Sequence, residues 1–90
     1  MSQAIVDPGE LRRFAANLKR FNADLHAGLG GLHGQLLALG DSWRDQEHDR
    51  FREEFEQTMQ AIERFLDVSA EHIPFLLRKA ERIEEYLSQR

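Results

Sequence analysis

Four histidines and sixteen carboxylates, with no cysteine, are the residues of this 90-residue chain whose types could hold a metal or move a proton. Their spacing works against both uses. His26 and His33 share a helical face but stand two turns apart, about 10 Å at 1.5 Å per residue, too far to bind one ion together. His48 follows Asp45 by three residues, so the two could project from one face, the most metal-like arrangement in the chain. A ferritin-like dimetal site needs paired Glu-x-x-His motifs with further inward Glu residues, and no Glu-x-x-His occurs. The histidines therefore read as solvated surface side chains, and the charge run from Arg50 to Glu56 as a solvated helix face. Gly28, Gly30, Gly31 and Gly34 could cradle a phosphate only after a strand and before a Lys-Ser/Thr pair, and neither is present. With no Ser/His/Asp or Cys/His arrangement to set beside them, the reading is a non-enzyme with no metal and no cofactor.

The elements that carry these residues are two long amphipathic helices. Asp7-Pro8-Gly9-Glu10 places an N-cap, a proline in the first turn and a Glu three residues after the cap, which predicts a helix over residues 8–39. Leu11, Phe14, Leu18, Phe21, Leu25, Leu29, Leu32, Leu36 and Leu39 form its stripe, with a stutter between Leu25 and Leu29. The four glycines soften its middle. They allow either a close approach by another helix or a break that splits the element. Gly40 reads as a left-handed cap that ends the helix, and Ser42-Trp43-Arg44-Asp45 as a capping box with Ser42 as N-cap and Asp45 at N3. That predicts a turn over 40–42 and a second helix over 43–88. Its stripe runs Phe51, Phe55, Met59, Ile62, Leu66, Ser69, Ile73, Leu76, Ala80, Ile83 and Leu87, with a kink near Pro74 between Ala70 and Ile73.

Helices this long joined by a short turn must lie antiparallel, so residues 1–90 form one all-α helical-hairpin domain. The register sets Arg12 and Arg13 near Glu84 and Glu85. Phe65, Phe75, Leu77 and Tyr86 widen the second stripe beyond what one helix covers. A second copy would cover it, giving a homodimeric four-helix bundle. A chain this small needs such help, because it buries little of its own surface and has no disulfide. The net charge of −4 argues against nucleic acid as a partner. No segment reaches the ~18 apolar residues of a membrane span, and Met1 to Asp7 show no basic n-region before an apolar core. The expectation is a protein made in the cytoplasm without membrane insertion, with any export independent of a cleaved leader.

Trp43, the only tryptophan, sits at the apex of this hairpin. Leu39-x-x-x-Trp43, with Phe51 eight residues after the Trp and Phe55 four later, resembles the Trp-X-Gly family, the early-secreted-antigen-like proteins of type VII secretion systems. Asp45 stands where the motif has Gly. The resemblance implies a hairpin that pairs with itself or with a homologous hairpin and acts as a secretion substrate or co-secreted adaptor, with a secretion ATPase as a further partner. It implies Trp43, Asp45 and Phe51 as the turn motif and partner contact. Tyr86 falls at the place of the family's C-terminal Tyr-x-x-x-Asp/Glu signal, whose acidic position is Arg90 here. The rival is an intracellular helical interaction or scaffold protein that kept the fold and lost export.

Overall fold

The computed structural model describes residues 6–89, and two helices account for nearly all of them. Helix α1 spans Pro8–Leu39 and α2 spans Gln46–Ser88, side by side in an antiparallel hairpin 68 Å long and 16 Å thick. Asp7 caps α1 as its sequence predicts: its backbone is extended and its carboxylate accepts the Gly9 N–H at 2.8 Å. The glycine-rich centre does not split the helix, and nothing lies within 4 Å of where a Cβ would stand on Gly28, Gly30, Gly31 or Gly34. The close approach read from those glycines is therefore absent within the hairpin. α2 runs unbroken through Pro74, whose missing N–H costs the ladder one bond at the Ala70 carbonyl.

The inner faces are narrower than the stripes. The seam of α2 runs through the buried and half-buried Phe55, Met59, Ile62, Leu66, Ser69, Ile73, Leu76, Ala80 and Ile83, alternating steps of four and three as in a heptad repeat. That of α1 runs through Leu11, Ala15, Leu18, Asn22, Leu25, Leu29, His33 and Leu36, with the stutter at Leu25 to His33. Small or polar residues (Ala15, Asn22, His33) take inner places that the apolar pattern assigned to Phe14, Phe21 and Leu32, which stay exposed. Small inner side chains let two helices approach closely, and Ala15 and Ala80 are accordingly among the best buried residues. No large side chain is fully buried among the described residues.

Three pairs of polar side chains cross the seam. Arg12 grips Glu84 with two hydrogen bonds, Nε to Oε2 at 2.9 Å and Nη2 to Oε1 at 2.7 Å. Asn22 donates from Nδ2 to Ser69 Oγ at 2.7 Å, and His33 donates from Nε2 to Glu56 Oε2 at 2.8 Å while its ring stacks on Phe55. The predicted Arg12–Glu84 register is thus correct. Arg13 and Glu85 are not among the ion pairs of the described residues.

The hydrogen bond from Arg12, reinforced by its charge, holds the Glu84 carboxyl below its ordinary value of 4.5 and raises the Arg12 guanidinium in turn. A depressed carboxyl stabilises the fold above its unfolded value and loses that contribution as pH falls through the folded value. Thermal melts of wild type and Glu84→Gln should therefore differ at neutral pH, with the variant lower. The gap should close as pH falls from 4.5 through the lowered folded value, and it should shrink with added salt, since both partners face solvent.

Candidate functional site

The apex is organised by the need to pair the last carbonyls of α1. α1 ends in tight bonds three residues apart: Gly40 N donates to Leu37 O and Asp41 N to Ala38 O, each at 3.1 Å. Leu39 O accepts from both Ser42 N at 3.1 Å and Trp43 N at 2.7 Å, and Arg44 Nε reaches the Gly40 carbonyl at 3.2 Å. Because Gly40 N turns to Leu37, the Leu36 carbonyl loses its usual helical donor. His48 supplies it from Nε2 at 3.0 Å, and since a carbonyl only accepts, Nε2 carries the hydrogen.

This arrangement corrects three sequence readings. Gly40 is right-handed, with φ −62°, and no residue from 6 to 89 has positive φ, so the helix ends by tightening. The cap of α2 is Asp45 rather than Ser42: Asp45 is extended and its Oδ1 accepts the His48 N–H at 3.1 Å. α2 consequently begins at Gln46, three residues later than the predicted 43, and Ser42 Oγ donates back to Leu39 O at 3.5 Å. His48, read as a solvated surface residue, is 4% exposed. Its signal was the spacing from Asp45, which looked like a ligand pair. The same spacing is that of an N-cap and the N–H it caps. With its carboxylate oriented to that N–H, Asp45 is a cap, and no three His, Cys, Asp or Glu side chains among the described residues form a metal-holding group.

Trp43 is half-buried, its ring edge-on to His48 with centroids 4.9 Å apart and planes at 68°. Phe51 is exposed and leans on Phe55 at 6.2 Å, and Phe55 in turn stacks on His33 of α1. Trp43, Asp45 and Phe51 thus share the closed end of the hairpin. Tyr86, also exposed, lies at the open end near the end of α2, and Arg90 falls outside the described residues.

One long face of the hairpin is apolar and open. Phe14 and Leu18 of α1 line a shallow groove with Phe65, Val68 and Leu76 of α2, and Phe75 continues the exposed row, 61% accessible beneath Arg78. No described helix is long and apolar enough to cross a membrane.

Comparison with known proteins agrees with that geometry. The profile of the WXG100 family, "Proteins of 100 residues with WXG", matches residues 3–86. A crystal structure of the secreted protein EsxB from Bacillus anthracis str. Sterne is 26% identical, covers 96% of this chain and 98% of its own, and superposes with a TM-score of 0.77. A structure of wild-type EsxB from the same organism in the P21 space group is 27% identical, with 91% and 94% covered and a TM-score of 0.75. No curated protein matches by sequence. The chain belongs to the WXG100 family.

Asp45, at the motif's glycine position, is the N-cap of α2, and Asp and Gly both rank well above Ala at that place. Urea denaturation should show Asp45→Ala destabilising the protein by about 1 kcal/mol and Asp45→Gly, which restores the family motif, by only a few tenths.

Proposed function

We propose that this WXG100 protein is a small substrate or co-secreted adaptor of a type VII secretion system and works entirely by protein association. The carrying observation is the open apolar face, on which Phe14, Phe65, Val68 and Phe75 are about half or more exposed in a single hairpin. Contiguous apolar surface of that kind marks an interaction site. Two copies, or this hairpin and a homologous one, would lay these faces together as a four-helix bundle, the arrangement in which long apolar helices of this spacing satisfy both sides. The secreted nature of its structural neighbour EsxB, with nearly the whole length of both chains superposed, supports export.

In an antiparallel pair the apex of one copy comes beside the open end of the other. That would put Trp43, Asp45 and Phe51 next to the second copy's Tyr86 segment, a composite surface that neither chain has alone. A secretion ATPase is the partner such a composite would address. One observation favours the second reading, an intracellular scaffold that has lost export: Arg90 occupies the place where the family's signal carries an acid.

Sedimentation equilibrium at micromolar concentration should give about twice the 10.5 kDa chain mass, and Phe14→Asp with Phe65→Asp should return it to the monomer. A wild type that stays monomeric at high concentration removes the pairing argument. In a host with a type VII system, a tagged wild-type chain should appear outside the cell and the paired Asp variant should not. Retention of both while the wild type still dimerises would favour the scaffold.

A further inference from the structure

We propose that His48 is the positioning residue of Trp43: a buried imidazole clipped to both helices that holds the indole in one orientation for the partner. The inference rests on the reading of the apex as a contact surface. His48 is fixed at both ends. Its backbone N–H enters the Asp45 cap at 3.1 Å, and its ring donates from Nε2 to the Leu36 carbonyl at 3.0 Å, so one residue ties the first turn of α2 to the last turn of α1. The third side of the ring lies against Gly40, where a Cβ would stand 3.4 Å from Cε1. Its Nδ1 faces the Asp49 carboxylate at 3.9 Å, and the ring meets that of Trp43 at 68°, with centroids 4.9 Å apart.

Trp43 itself is poorly held. Its backbone N–H is spent on Leu39 O, and among the described residues its indole N–H makes no hydrogen bond. The ring is half-buried and belongs to a turn, where side chains have more freedom than in a packed seam. An aromatic contact whose other member is immobilised at three points is therefore what orients the indole, leaving its N–H free for a partner acceptor. Rigid aromatic anchors bind better because little ordering remains to be done on association.

The chain has one Trp and one Tyr, so the near-ultraviolet circular dichroism band at the tryptophan edge reports Trp43 alone. His48→Gln places an amide nitrogen where Nε2 sits, keeping a donor for Leu36 and removing the ring. The full-length variant should keep its helix content, lose most of the Trp43 band, and self-associate about tenfold more weakly. His48→Phe keeps the ring without the donor and should retain the band. A His48→Gln protein with the wild-type band overturns the proposal, whether or not self-association falls. Loss of the band with self-association unchanged supports the positioning role and instead refutes the apex as a contact surface. Should His48→Gln fail to fold, the Phe variant decides: a folded protein with the band supports the proposal, and one without it overturns it.

Discussion

A helix that ends without a left-handed residue leaves its last carbonyls to be paired by whatever follows, and that requirement shapes the apex of this hairpin. Gly40 and Asp41 tighten the final turn, Ser42 and Trp43 share Leu39, Arg44 closes on Gly40, and His48 reaches back to Leu36. Each donor is a residue of the connecting segment or of the first turn of α2. The segment cannot be shortened or redirected without orphaning one of those carbonyls. The antiparallel course of α2 follows from this pairing, and so does the placement of Trp43, whose backbone N–H is one of the donors.

A second constraint is the thinness of the molecule. Two helices cannot enclose a large side chain between them, and the best buried positions are Ala15, Leu36, His48, Ser69 and Ala80. The seam is close but narrow. Phe14, Phe21, Phe65 and Phe75 are left beside it, about half exposed, so only part of their transfer from water contributes to the stability of the single hairpin. If the hairpin pairs as proposed, folding stability and association share the same side chains, and the concentration of the partner adds to the stability of the fold.

The long-range plan was legible in the sequence because it depends on periodicity and on termini with strong local chemistry. Asp7-Pro8 marks the start of α1, the α2 stripe predicts its inner face nearly residue for residue, and Arg12 meets Glu84 where the hairpin register puts them. The apex was misread because two cap patterns overlap there. Ser42 with Asp45 satisfies the capping-box spacing as well as Asp45 with His48 N–H satisfies a simple cap, and only the demand of the α1 carbonyls decides between them. The spacing from Asp45 accounts for the His48 backbone but not for the burial of its ring. Its partner, the Leu36 carbonyl, lies twelve residues upstream and is an orphan only because of how α1 ends.

The apolar rows of α1 and α2 are chemically alike, and similar rows would accept one another between copies as readily as within one chain. Polar contacts break that equivalence. Arg12 with Glu84, Asn22 with Ser69 and His33 with Glu56 are spaced along the hairpin from its open end toward the apex, and each requires a specific residue on the facing helix. A helix from a second copy in a different register would leave the amide of Asn22 without its donor's acceptor. Its Oδ1 already lacks a hydrogen bond among the described residues, so the site has little tolerance for losing another. Narrow polar cross-links therefore specify which two helices form a hairpin, a choice to which the open apolar face contributes little.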